Sequence, residues 1–423
     1  MRTEHAMFKF PNFSLVAWLL VAAAVSASAQ QTLTWEQVRL RFEQNNPTLL
    51  AGKLNVEESK ASETTAYLRP NPDMSLLLDQ VNLFSTNPFQ PFSPALATTT
   101  LSYLHERRHK RERRLESAKD STAVATSTQA DLERTLLFTL RGAFIQTLQA
   151  KAVLNVTREN LAYYDKVLEV SRERFHAGDI AQVDLDRLEL QRVQYESDLQ
   201  AAEVSLRTAK IQMLALLNDR TPIEQFDVTG PYEFSEQVQP LDDLRQIALD
   251  TRPDLKAATE SVEKAKADHK LAVANGSTDP TFSLDGGLNP PIDHYIGFGV
   301  TFPLRIFDRN QGEKLRTQLD IERNSRLLAA SQAQVFNDVD SAYATLSSNL
   351  ALLHPYKEKY LEQAVRVRDT IAFSYQHGGA SLLDFLSAQG EYRAVQLAYV
   401  NLVGSYLSAA SQLNLAVGRE VIP

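Results

Sequence analysis

The feature that most constrains this chain is that it is written twice. Phe175-His176-Ala177-Gly178 returns as Tyr375-Gln376-His377-Gly378. The spacing persists through Asp184 and Asp384, Leu185 and Phe385, to Leu216-Leu217-Asn218 and Ala416-Val417-Gly418. Upstream, Asn46-Pro47-Thr48-Leu49 answers to Arg252-Pro253-Asp254-Leu255. A unit of roughly 200 residues is far longer than the ~20–50 residues of a solenoid repeat, so it reads as duplication within one architecture. Each copy reads as a helix, two short alternating segments, a very long helix, a glycine-containing turn and a second long helix. The expected division is a first repeat over 30–218, a linker over 219–240, a second repeat over 241–418 and a tail over 419–423.

The helices carry a period of seven. Leu154, Leu161, Leu168 and Phe175 share one line before the first turn. After it, Leu185, Leu199, Leu206 and Met213 form a seam with Leu188, Tyr195, Ala202, Ala209 and Leu216, interrupted by Arg192. In the second copy Phe385, Tyr392, Tyr399, Tyr406 and Leu413 stand beside Ala388, Val395, Leu402, Ala409 and Ala416. A sustained seven-residue repeat means helices packed side by side with coiled-coil geometry. Between Arg111 and Phe175 there is one glycine, Gly142, and no proline, which allows a single helix of ~95 Å. The many Tyr, Ala, Ser and Thr residues on these seams suggest a partly wet seam or one repeated around a larger assembly.

The short segments alternate with period two. Phe282 and Leu284 alternate with Ser283 and Asp285, and Ile296, Phe298, Val300 and Phe302 with Gly297, Gly299 and Thr301. Gly286-Gly287 and Asn289-Pro290-Pro291 form the turn between them. In the first copy Met74, Leu76 and Leu78 make one segment, and Thr99, Leu101 and Tyr103 another, separated by a Pro/Asn/Phe-rich loop over 82–94. Each is close to the ~9–11 residues that a tilted strand needs to cross a bilayer. Alternation alone also fits four ordinary half-buried strands. Four strands cannot close a transmembrane barrel, so a membrane reading demands several copies of the chain. The mean hydropathy of −0.27 argues against a bundle of membrane helices but is neutral towards a barrel, whose apolar face is hidden in the average.

The N-terminus reads as an export signal. Arg2 and Lys9 precede an apolar run from Phe13 to Val25, and Ala27-Ser28-Ala29 supplies a small-x-small cleavage pattern with Gln30 as the new terminus. Loss of residues 1–29, which carry Arg2, Lys9 and Glu4, turns the formal net charge of −8 into −9. With no cysteine among the 423 residues, disulfides, thiolate metal sites, a cysteine nucleophile and a lipid-anchored N-terminus are all excluded.

The segments 174–191 (RFHAGDIAQVDLDRLELQ) and 374–389 (SYQHGGASLLDFLSAQ) resemble the aromatic-x-x-Gly turn, followed by Asp and a bulky apolar residue, of the TolC family of outer-membrane efflux channels. The run Val300 to Gly312 (VTFPLRIFDRNQG) resembles the segment after the last strand in members from cobalt-zinc-cadmium efflux systems, with Arg305 where proline is common. The resemblance covers nearly all of the processed chain. It implies a mainly α fold with a small β part. Long antiparallel coiled-coil hairpins would form an α-barrel through the periplasm, and four strands per chain would join a 12-stranded β-barrel in a homotrimer. It implies passive exit of substrate, metal cations or drugs, loaded by a periplasmic adaptor and an inner-membrane pump of the RND type. Phe175, Gly178, Tyr375 and Gly378 would stand at the docking tip, and Asp184 and Asp384 at the closed aperture, where rings of carboxylates attract cations. The plainer reading of each aspartate is as a cap of the returning helix. Phe282, Leu284, Ile296, Phe298, Val300 and Phe302 would be barrel residues, in contact with outer-membrane lipid.

Two motifs point elsewhere. His105-Glu106-Arg107-Arg108-His109 matches H-E-x-x-H, which on a helix can place two histidines on zinc. Here it falls where a strand turns into a helix, without an evident third ligand. Arg107 to Arg114 holds six Lys/Arg, a run that fits a solvated helix start or lipid headgroups better than nucleic acid in an acidic, exported chain. Arg305, Arg309, Lys314 and Arg316 occupy the comparable place in the second copy. No phosphate loop, dinucleotide fingerprint or nucleophile elbow occurs, so no enzyme activity, cofactor or resident metal is expected. The alternative from another class is an exported periplasmic coiled-coil scaffold or adaptor without a channel.

Overall fold

The computed structural model describes residues 31–81, 84, 91, 92, 95–289 and 292–422. The export signal and its cleavage site, most of the 82–94 loop, the Pro290-Pro291 turn and Pro423 lie outside the described residues. The chain forms two compact units. The first comprises the described residues up to Phe42 with Gln146–Pro231, and the second comprises Glu43–Ile145 with the described part of Tyr232–Pro423.

The first unit begins with strand β1 (Gln31–Leu33) and helix α1 (Trp35–Asn45). It continues with the later part of α3 (Lys110–Ala177), then α4 (Gln182–Leu216) and strand β4 (Phe226–Val228). At 68 residues, α3 is about 100 Å long, close to the length read from its missing glycines and prolines. The heptad lines supply the contact. Leu154, Leu168, Leu185, Leu188, Tyr195, Ala202, Ala209 and Met213 are buried. Tyr164 stacks on Tyr195 with ring centroids 4.6 Å apart and donates its hydroxyl to the Leu188 carbonyl at 3.0 Å. Arg192, the polar break in the seam, spans the hairpin to Asp165 at 2.6 Å.

The sequence reading missed the small sheet here. β1 pairs in parallel with β4, so the segment 219–240 contains a strand. Two lysines from two helices hold it. Lys210, from α4, donates to the Phe226 carbonyl at 2.7 Å and lies 3.2 Å from Asp227 Oδ1. Lys151, from α3, donates to Asp227 Oδ2 and the Val228 carbonyl, each at 2.7 Å. Burial alone would raise the Asp227 carboxyl, but the two ammonium groups outweigh it and hold the pKa below the usual range.

The second unit contains α2 (Pro47–Tyr67), β2 (Asp73–Asp79), β3 (Leu96–Leu104) and the first part of α3. After these come α5 (Leu241–Thr251), α6 (Pro253–Asn275), β5 (Thr281–Asn289) and β6 (Ile292–Thr301). Helices α7 (Gln311–Pro355), α8 (Leu361–Gln376) and α9 (Leu382–Val417) complete it. The single helix expected before the strands of each copy is split at a proline. Asn46 and Arg252 are held extended by Pro47 and Pro253. Asn46 Oδ1 accepts from Leu49 N at 3.0 Å as an N-cap. Arg252, at the corresponding place, turns inward to Asp254, Asp338 and the Ala416 carbonyl. Arg134 reaches the Leu415 carbonyl at 2.7 Å, so two guanidinium groups complement the negative C-terminal end of α9. The apolar core of this unit runs through Leu244, Val339, Leu346, Val403, Tyr406 and Leu413. Between α7 and α8 the helix widens into a π turn, Tyr356–Tyr360, directly after Pro355. Proline cannot donate the regular i→i−4 bond, which accounts for the defect at this point.

β2, β3, β5 and β6 form one antiparallel sheet in that order. β2 has seven residues, shorter than the bilayer-length segment read from sequence, while β3, β5 and β6 have nine, nine and ten. Among the described residues no helix is long and apolar enough to cross a membrane.

Candidate functional site

Register sorts the side chains of the sheet onto two faces, because directly opposed residues of a pleated sheet point the same way. Met74 lies opposite Leu101, Leu101 opposite Leu284, and Leu284 opposite Phe298. The next row runs from Tyr103 through Phe282 to Val300. Leu76, Leu78 and Ile296 extend the same face. Every expected barrel residue (Phe282, Leu284, Ile296, Phe298, Val300 and Phe302) is exposed in the protomer, Phe298 at 86%. The reverse face carries Asp73, Ser75, Thr98, Thr100, Ser102, Ser283, Asp285, Gly297 and Gly299, with Leu77, Leu96 and Leu104 as apolar exceptions. Room beside Gly297 is tight: a Cβ there would come 2.5 Å from Asp285 Oδ2, so the carboxylate would have to swing aside. A face so apolar and exposed costs free energy in water and gains it in lipid. The sequence names the intervening Gly, Ser and Asp residues, and register gathers those of all four strands onto one face.

The two turns lie in different units, and each closes its own helical hairpin. Gly178 has φ +85° and Gly378 φ +76°, in the left-handed region that glycine enters without a Cβ penalty. Gly178 N donates to the Phe175 carbonyl and Asp179 N to that of Arg174. Gly378 N donates to the Tyr375 carbonyl and Gly379 N to that of Ser374. Both are Schellman stops. The aromatic before each glycine faces inward: Tyr375 is buried and stacks on Phe385 at 5.0 Å, and Phe175 is half-buried. What each turn offers outward is therefore the glycine and its neighbours.

The two aperture candidates differ. Asp384 forms a capping box with Ser381, accepting from Ser381 N at 3.1 Å and Ser381 Oγ at 2.7 Å while its own N donates to Oγ at 3.1 Å. These bonds hold its carboxyl below the usual range. Asp184 has the same place in the first turn of α4, but Ala181 stands where Ser381 does and no side-chain cap forms. The cap reading therefore holds for Asp384.

The H-E-x-x-H run is not helical. α3 starts at Lys110, and Arg108 and His109 have φ +56° and +55°, so the two histidines do not sit one turn apart. Glu106 is bound by Arg114. Among the described residues no group of three His, Asp or Glu could hold a metal ion.

Residues 244–419 match the family model described as "Outer membrane efflux protein". The cobalt-zinc-cadmium resistance protein CzcC of Cupriavidus metallidurans is 21% identical over 416 residues, 97% of each chain. The outer membrane protein TolC of Vibrio cholerae is 21% identical over 423 residues, 95% of this chain and 94% of the relative. In structure, the CusC transmembrane channel superposes with a TM-score of 0.78 at 17% identity, covering 91% of this chain and 92% of that one. The heptad hairpins, the glycine stops, the two-faced sheet and these likenesses converge on an outer-membrane efflux channel: residues 244–419 match the outer membrane efflux protein family, and the chain as a whole resembles its heavy-metal branch.

Proposed function

We propose that three copies of the chain, each processed to begin at Gln30 and built of the repeats 30–218 and 241–418 joined by 219–240, close a 12-stranded barrel. This barrel is the exit of a tripartite pump for metal cations. The observation that carries the reading is the sheet. Its exposed apolar face suits lipid, its reverse face suits water, and among the described residues its end strands β2 and β6 have free edges. Pairing β6 of one copy with β2 of the next removes every edge, the condition for strands to span a bilayer. The cargo follows from likeness to a cobalt-zinc-cadmium resistance protein and from the aspartates. Three copies of Asp384, with Asp184, ring the periplasmic aperture and concentrate cations. The turns at Gly178 and Gly378 dock a periplasmic adaptor that links the tube to an inner-membrane pump of the RND type.

The purified chain in a planar lipid bilayer is expected to give stepwise, cation-preferring conductance, and on gels a trimer that dissociates only on heating. A soluble periplasmic monomer without conductance would overturn the channel and return the chain to the scaffold class.

A further inference from the structure

The basic run at 107–114, which the channel function leaves unused, divides into two sets. Lys110 pairs with Asp279 at 2.5 Å, Arg111 with Glu112 at 3.0 Å and Arg113 with Glu116 at 2.6 Å, and Arg114 pairs with Glu106. Arg107 and Arg108 are exposed, and among the described residues their guanidinium groups have no carboxylate partner; neither has Arg69, at the end of the preceding helix. All three line one open pocket of about 450 Å³. Its only carboxylates, Glu106 and Glu112, are already taken by Arg114 and Arg111. The charge left over is therefore positive and local, in a chain that is acidic as a whole.

Two further observations fix what this pocket faces. Tyr103 and His105 also line it. Tyr103 lies opposite Phe282 in the apolar row, and the His105 ring stands edge-on to Phe282 at 6.4 Å. The pocket thus opens on the same side of the sheet as the exposed apolar face, directly below it. The loop is also held in shape. Asp279 accepts from Arg107 N at 2.9 Å, and Arg108 and His109 keep left-handed angles that non-glycine residues avoid unless the surroundings impose them.

We propose that this pocket binds the phosphate of an anionic phospholipid whose acyl chains lie along the apolar face at Phe282 and Phe298. Guanidinium groups present paired donors that match phosphate oxygens. A ligand with an anionic head and apolar tails meets both surfaces at once, whereas free phosphate meets only one. The assignment rests on membrane insertion of the sheet, as proposed above.

The test is native mass spectrometry of the detergent-solubilised full chain with phosphatidylglycerol, with phosphatidylcholine and with inorganic phosphate. The wild type is expected to retain phosphatidylglycerol in preference to phosphatidylcholine, and millimolar phosphate to leave it bound. Arg69→Ala, Arg107→Ala and Arg108→Ala are each expected to weaken retention about fivefold, the contribution of one arginine near an anionic membrane surface. The corresponding Lys variants keep most of it. Arg366→Ala, which removes the same charge from α8, leaves retention unchanged. Heat-modifiable gel mobility reports folding and insertion separately. A chain that inserts normally yet binds phosphatidylglycerol equally in all three Ala variants overturns the lipid site and spares the channel. Displacement by inorganic phosphate overturns the lipid assignment too. Failure of the wild type to insert overturns both readings.

Discussion

Gly178 lets the cost of a backbone angle be separated from the cost of a blocked surface. Its φ is +85°, and a Cβ built there meets nothing within 4 Å. Substitution by alanine therefore carries strain but no clash. A left-handed angle costs a non-glycine residue about 1–2 kcal/mol. The reduced freedom of the unfolded chain returns about 0.4–1 kcal/mol. The net penalty for Gly178→Ala is then about 0.5–1 kcal/mol, a few-fold shift towards a frayed turn. Asn tolerates the left-handed region, so Gly178→Asn is expected near zero, and Gly178→Val, β-branched, above Ala. Hydrogen exchange over 174–185 reads this order directly. Docking as proposed would obey a different rule, since any side chain at this open position would hold an approaching partner away. Gly178→Asn is thus expected to keep wild-type exchange protection and to lose metal tolerance in cells that depend on the pump. If Asn frays the turn as much as Val, the backbone argument is wrong. If Asn leaves both protection and tolerance intact, Gly178 is no docking point.

Three more substitutions test other parts of the fold. Asp384→Asn is expected to lower cation preference in bilayer conductance while the hairpin stays folded. Because the folded pKa of Asp384 is depressed by Ser381, its contribution is present above the unfolded value of about 3.9 and is lost as pH falls through the folded value. The wild-type preference should accordingly hold from neutral pH down to about pH 5. Arg252→Met removes the donor shared by Asp254, Asp338 and the Ala416 carbonyl; because both carboxylates keep about a third of their surface in water, the expected cost is about 1–3 kcal/mol, below that of a fully buried pair, visible as a lower temperature for loss of the native gel band. Phe298→Arg places a charge on the lipid side at a cost of about 2–4 kcal/mol near mid-membrane and should reduce insertion. Ser283→Arg, on the other face, should insert and change conductance; equal insertion of the two variants would refute the assignment of faces.

The helices and their stops were legible because their signals are local. Leu154, Leu168, Leu188 and Tyr195 declare a buried seam through spacing alone, and Gly178 and Gly378 stand where the chain turns through left-handed angles that glycine enters without a Cβ penalty. Strand existence was legible for the same reason, from the alternation of Phe282 and Leu284 with Ser283 and Asp285. Other features depend on partners far along the chain. β1 and β4 are three residues each, too short for any periodicity, and exist because residues 31–33 meet 226–228. The H-E-x-x-H run is legible as a strand-to-helix boundary, but the shape of its loop depends on Asp279, some 170 residues away, which accepts from Arg107 N. Asp184 and Asp384 share a place in the repeat, and what separates them is itself written in the sequence, since Ser381 can cap its helix and Ala181 cannot.

By itself, then, the sequence determined the duplicated plan, the long hairpins, the turns and the apolar stripe of the sheet, since each follows from spacing over a few residues. The tertiary structure alone decided strand register, and with it which polar residues share one face of the sheet. It also decided the lysine clamp on β4, the π turn after Pro355, and which arginines remain unpaired. These are set by pairing across long separations, where loop closure brings together groups whose mutual distance no local pattern encodes.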